Sequence, residues 1–235
     1  MKQIKLLITM GLTAILLAGC SAAPQSSALD TPEKAVTAYV AALAAGDFNA
    51  ALALCPADAM MKNFNSTEYG KTMVIGNNES VDVDGIKARY TQQTALLSAS
   101  LLKGETAKLE ENMVIDEAWT AQLLKENRPK LKDLQALRID KPYKAGYNLE
   151  VDSDVYKQAT KSNRLIWGTE GYTERIALLQ HSGKTYMAGF TLAQYDGSWG
   201  ILYATSTFAN LTSGNAKETV QDEYLKHVKP ETESK

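Results

Sequence analysis

The 235-residue chain offers few side chains for nucleophilic, acid–base or metal chemistry: it has two His and two Cys. His181 comes first. It ends a β-rich run beside Ser182, where an imidazole could act as general base with Glu174 or Asp196. A base serving a pocket should lie mid-strand and point inward. Ser182-Gly183 instead marks a turn, so His181 reads as a surface-turn residue. His227 falls in a charged stretch and reads as solvated. Ser80-Val81-Asp82-Val83-Asp84-Gly85 has the carboxylate and Gly spacing of a calcium loop, but its first ligand is neutral and its twelfth position is Thr91 instead of Glu. A turn with solvated carboxylates is the simpler account. Cys55 lies on the apolar side of a helical pattern and reads as buried and unreactive. No Gly-x-Ser-x-Gly elbow, His-Glu-x-x-His pair, Walker loop or Gly-x-Gly-x-x-Gly turn occurs. No catalytic residue, metal ligand or cofactor is therefore assigned. With 25 basic against 27 acidic side chains, the chain lacks the basic excess of a nucleic-acid binder.

Cys20 is different. Met1-Lys2-Gln3-Ile4-Lys5 is a short basic start, and Leu6 to Ala18 carries no charge. That run is shorter than the ~20 apolar residues a membrane-spanning helix needs. Its layout is that of a secretory signal peptide. It ends Leu17-Ala18-Gly19-Cys20, which resembles the lipobox of bacterial lipoproteins. The resemblance implies cleavage between Gly19 and Cys20 and a thioether-linked lipid on the Cys20 thiol. Residues 1–19 would then be a signal peptide and 20–29 a lipidated flexible tether of small, polar residues. Nine such residues span roughly 15–18 Å. Loss of Lys2 and Lys5 leaves 23 basic against 27 acidic side chains, a formal charge of −4. The membrane partner is reached through the lipid, with the domain on the extracytoplasmic side of a cell or outer membrane.

The elements that would position any site follow. Thr31-Pro32-Glu33 is a helix start: a cap, a proline suited to the first turn, and an acid at the positive end of the dipole. Val36, Tyr39, Val40 and Leu43 form one apolar face. Gly46 ends that helix, Asp47 caps a second, and Pro56 closes it. Helices are predicted over 86–102 and 117–127, and a strand over 132–139. A short strand is considered at 148–152, and 154–164 is ambiguous. The last third is β-rich: 172–180, 184–195 and 198–207.

Asp196-Gly197 is a two-residue hairpin turn. It pairs Leu192 with Ile201, Phe190 with Tyr203 and Gln194 with Trp199. One face then collects Phe190, Leu192, Trp199, Ile201 and Tyr203, an aromatic wall that could line a pocket for a small apolar ligand or be filled by a helix. The opposite face carries Gly189, Thr191, Ala193, Gly200 and Ala204, small enough for another backbone to approach. For the hairpin at Ser182-Gly183, loops of two and of three residues both remain open.

Thr31-Pro32-Glu33-Lys34-Ala35-Val36, Tyr39-Val40, Leu43, Gly46-Asp47-Phe48 and Asp196-Gly197-Ser198-Trp199-Gly200-Ile201 together resemble the NTF2-like superfamily. The resemblance implies an α+β fold, with N-terminal helices packed on a curved antiparallel sheet to make a cone. The middle region, 57–171, is expanded. The domain is expected over 30–213, with a charged tail over 214–235 that is either frayed or gathers Val220, Tyr224, Leu225 and Val228 into one amphipathic helical patch. That superfamily hosts enzymes and binding modules alike. The expected role is a non-catalytic binding or assembly module of the cell envelope, whose partner is a small apolar ligand or an envelope protein. An isomerase- or dehydratase-type enzyme with an acid–base pair in the cone, and a purely structural envelope protein, are the alternatives.

Overall fold

The computed structural model describes residues 29–72, 81–103, 117–127, 131–143, 153–207, 211 and 214–228. The signal peptide, Cys20 and the strand considered at 148–152 lie outside the described residues. The helices are α1 (Pro32–Ala44), α2 (Phe48–Leu52), α3 (Ala57–Asn63), α4 (Ser66–Thr72), α5 (Val83–Lys103), α6 (Glu117–Asn127), α7 (Asp154–Trp167) and α8 (Gln221–Leu225). The strands are β1 (Gln135–Asp140), β2 (Gly171–His181), β3 (Lys184–Tyr195), β4 (Ser198–Tyr203) and β5 (Lys217–Glu218). The expected α+β architecture is the one observed. No helix among the described residues is long and apolar enough to cross a membrane.

Local chemistry sets the helix ends. Thr31 Oγ1 accepts the Lys34 N–H at 3.3 Å, and Asp47 Oδ1 accepts that of Ala50 at 3.0 Å. Between them Gly46 adopts φ +68°, the left-handed geometry that lets α1 stop and α2 start at once. Asp82 is a cap too: its Oδ1 accepts the Gly85 N–H at 2.6 Å at the start of α5. Ser80 lies outside the described residues; the rest of the stretch with calcium-loop spacing, 81–85, leads into a helix N-terminus. The ambiguous 154–164 segment is α7, capped by Ser153 and ended by Gly168 at φ +55°.

The strands form one antiparallel sheet in the order β1-β2-β3-β4, with β5 beside β3. The hairpin at Ser182-Gly183 has a two-residue loop, so Leu179 faces Tyr186. Ala177, Leu179, Ala188, Phe190, Leu192 and Ile201 share one face, and α1 lays Val36, Tyr39, Val40 and Leu43 against it. The Tyr39 and Phe190 rings meet edge-on, with centroids 5.6 Å apart. Each apolar side chain buried here contributes roughly 1.5–3 kcal/mol. At the rim, Arg175 Nε donates to Glu33 Oε1 at 2.5 Å and ties β2 to the first turn of α1.

Helix α5 crosses the same core with a polar stripe. Thr94 Oγ1 accepts from the Tyr39 hydroxyl at 3.0 Å, Gln93 Oε1 from Ala204 N at 2.8 Å, and Ser100 Oγ from Ala216 N at 2.9 Å. These bonds join α1, the end of β4 and the approach to β5, and they satisfy buried polar groups that would otherwise be costly.

Two expectations need correction. The predicted pairing holds from Tyr195↔Ser198 to Leu192↔Ile201, but a bulge then sets Thr191 against Tyr203. The extra residue reverses the alternation. Tyr203 leaves the Phe190 face and packs beside Leu202, Ala193 and Tyr195, while Ala204 takes its place in the main core. The second correction is the boundary at residue 213. Residues 214–228 belong to the packed fold instead of a frayed tail, with two members of the amphipathic patch buried: β5 pairs with β3, Tyr224 is fully buried, and Val228 packs with Ile176, Leu178 and Met187 on the sheet's other face.

Candidate functional site

The aromatic wall expected on β3 and β4 is mostly core. Phe190, Leu192 and Ile201 are fully buried under α1. Trp199 is half-buried; it packs on the core edge and lies over Gly171. Tyr203, moved by the bulge, lines a groove of about 240 Å³ with Tyr69, Ile86, Arg89 and Trp167.

His181 is the other departure. It does end β2 at the hairpin, yet it is only 2% exposed. Its Nδ1 lies 2.6 Å from Asp133 Oδ1, so its carboxylate partner is neither Glu174 nor Asp196. Asp133 precedes β1, which no local pattern could have linked to residue 181. Glu174 is buried on the sheet's other face, where its Oε2 accepts from Ser206 Oγ at 2.7 Å. Asp196 sits in the β3–β4 turn at φ +49°. His227 is half-buried, and burial lowers its pKa. Cys55 is half-buried rather than buried, and burial pushes its thiol up to about 11, away from the thiolate a nucleophile requires. Gly19 and Cys20 lie outside the described residues.

The sequence reading missed a basic groove between α7 and β2. Strand β1 stops where Asp140 faces Ile176, so Gly171–Arg175 of β2 pair with β3 alone among the described residues. Lys141 emerges at that point, and α7 lies alongside. The corner from α7 into β2 is firmly held. Thr169 Oγ1 accepts the Gln194 N–H at 3.0 Å and lies within hydrogen-bond reach of the Gly171 and Gln194 carbonyls. Arg164 Nη2 donates to Glu170 O at 2.5 Å.

The space enclosed is about 470 Å³. Lys141, Lys157, Lys161 and Arg164 line it, and among the described residues its walls carry no acidic side chain. Tyr156, Tyr172 and Thr173 supply hydroxyls. Burial, and then the nearby Glu174 carboxylate, push the Tyr156 phenol up to about 12, so it stays protonated and able to donate. Tyr172 is raised by the same two causes in the same order. The signal was present in the sequence: Lys157, Lys161 and Arg164 fall at i, i+4 and i+7, one face of a helix. It was invisible while 154–164 remained unassigned.

A third groove, about 690 Å³ between α5 and α6, also carries Lys87 and Arg89. There Lys87 is already met by both Asp58 oxygens at 3.1 Å. In the α7–β2 groove, Lys141, Lys157 and Lys161 have no ion pair among the described residues. That contrast singles out the α7–β2 groove.

No family model matches the sequence. No curated protein matches it either. Among solved structures, it is similar to the crystal structure of a cystatin-like protein from Ruminococcus gnavus ATCC 29149, with a TM-score of 0.50 and 19% sequence identity. The match covers 83% of this chain and 42% of that one, so this chain spans less than half the length of that protein. The likeness is one of fold: helices on an antiparallel sheet in the cystatin-like arrangement.

Proposed function

We propose that this chain is a lipoprotein of the cell envelope, tethered by a lipid on Cys20, whose cystatin-like domain works by binding rather than catalysis. The observation that carries the binding role is the filled face of the sheet under α1. Helix α1 occupies it with Val36, Tyr39, Val40 and Leu43 packed on Phe190, Leu192 and Ile201. An acid–base pair working inside the cone would need the space these side chains take. Open space lies instead at surface grooves, of which the α7–β2 groove has polar and charged walls.

The anchoring role rests on Leu17-Ala18-Gly19-Cys20 after a short apolar run. Packing already begins at Leu29, whose carbonyl accepts the Trp199 N–H at 2.7 Å. Buried lipid contributes about 0.8 kcal/mol per CH₂, so two or more chains hold a domain without help from protein charge.

The test is metabolic labelling with a fatty-acid precursor. The natural chain is expected to take up label and to fractionate with membranes. Cys20→Ser is expected to lose the label and remain unprocessed or be released. Equal labelling of both chains would overturn the anchor.

A further inference from the structure

We propose that the groove between α7 and β2 is a binding site for a phosphate-bearing ligand. The inference deepens the binding-module reading above and rests on it.

Three cations come from one helix face. Lys157, Lys161 and Arg164 sit one and two turns apart on α7, and Lys141 approaches from the end of β1. The three lysines are exposed and have no ion pair among the described residues, so their charge is not cancelled locally. Arg164 is held by its bond to the Glu170 carbonyl, which fixes the guanidinium and leaves its other N–H groups to the groove. Mobile ammonium charges beside one oriented planar donor suit a phosphate, which carries close to two charges as a monoester and offers acceptor oxygens in several directions. The chain as a whole is acidic, so this local excess is not a by-product of composition.

The groove is graded from mouth to floor. Glu174, buried beneath, acts on both Tyr156 and Tyr172. Tyr172 lines the groove too, and its phenol can pair with a hydroxyl of whatever carries the phosphate. A sugar phosphate and a glycerol-phosphate lipid headgroup share that chemistry.

The full chain, as produced and purified in neutral detergent, tests the proposal. Glucose 6-phosphate is titrated as the soluble probe, with glucose as the uncharged control. Detergent micelles doped with phosphatidylglycerol, against phosphatidylcholine alone, are the lipid probe. Saturable binding of either phosphate probe is expected, with none for glucose or phosphatidylcholine. Lys157→Gln/Lys161→Gln is expected to weaken it by roughly ten-fold or more, since two charged donors are lost from the rim. Both lysines are exposed, so the double variant should melt where the natural chain does. Binding of only one probe identifies the source of the phosphate. The proposal is overturned if neither probe binds saturably, or if the double variant binds as the natural chain does. Label on Cys20 with no phosphate binding would remove this site and leave the anchored module standing. Phosphate binding without label would do the reverse.

Discussion

Asp133 Oδ1 lies 2.6 Å from Nδ1 of His181, joining the start of β1 to the far end of β2. Ser182 Oγ stands 3.4 Å from the other ring nitrogen. Serine, imidazole and carboxylate thus fall in the order of an acyl-transfer triad, yet the surroundings describe a clamp. Asp133 Oδ2 also accepts the Ser182 N–H at 2.7 Å, which holds the turn where Ser182 adopts φ +49°. None of the grooves described above includes Asp133, His181 or Ser182.

Two outcomes follow from a clamp. A fluorophosphonate probe is expected to leave Ser182 unlabelled; stoichiometric labelling there would make it a nucleophile. The second concerns pH. The Ser182 N–H, first, and the imidazole hold the Asp133 carboxyl below its ordinary value. A depressed carboxylate stabilises the fold above its unfolded pKa, and that contribution disappears as pH falls through the lowered folded value. The natural chain should therefore lose thermal stability below about pH 4 more steeply than Asp133→Asn. Parallel melting curves across that range would mean the contact contributes nothing.

Much of this arrangement was legible and some could not be. The two N-terminal helices and the Asp196-Gly197 hairpin follow from caps, turn residues and alternation, which act over a few neighbours; the α+β class came from the family resemblance those residues carry. The Phe190 face was read correctly up to the bulge. A bulge has no short-range signature at Ile201-Leu202-Tyr203, and one extra residue sends every later side chain to the other face. His181 was misplaced for a similar reason: its partner lies 48 positions earlier and belongs to a different element. The charged composition after residue 213 suggested a tail because, among the described residues there, only Gly214, Ala216, Tyr224 and Val228 are buried, and a few anchors do not alter an average.

Those anchors are testable. The Tyr224 hydroxyl lies 2.8 Å from Asp140 Oδ2 and 3.0 Å from Ile176 O, while its ring is fully buried. Tyr224→Ala is expected to cost about 3–5 kcal/mol in chemical denaturation, as for other large aromatic deletions. Tyr224→Phe keeps the ring and should cost about 1 kcal/mol. Burial raises the Asp140 carboxyl pKa, but hydrogen bonds from Arg138 and Tyr224 carry it below its ordinary value. The Phe variant should raise it, as read by NMR titration. A cost below about 0.5 kcal/mol for the Ala variant would return residues 214–228 to the status of a loose tail.

Gly200 and Gly70 make a paired test of packing against backbone freedom. Strand β4 passes the α2–α3 connection so closely that Ile201 N donates to Leu54 O at 2.9 Å. A Cβ at Gly200 would stand 2.8 Å from Pro56 Cδ and 2.9 Å from the Leu54 carbonyl oxygen. Neither neighbour is a flexible side-chain tip: one is a ring and the other is backbone already in use. Gly200→Ala should therefore act as overpacking and cost about 1–3 kcal/mol. Gly70 lies within α4 with nothing within 4 Å of the same position and no positive φ. There the added methyl only restricts the unfolded chain and improves helix propensity, so Gly70→Ala should stabilise by about 0.4–1 kcal/mol. Denaturant midpoints moving in opposite directions are the expected result. A Gly200→Ala midpoint at or above that of the natural chain would mean that the close approach at Gly200 does not constrain β4.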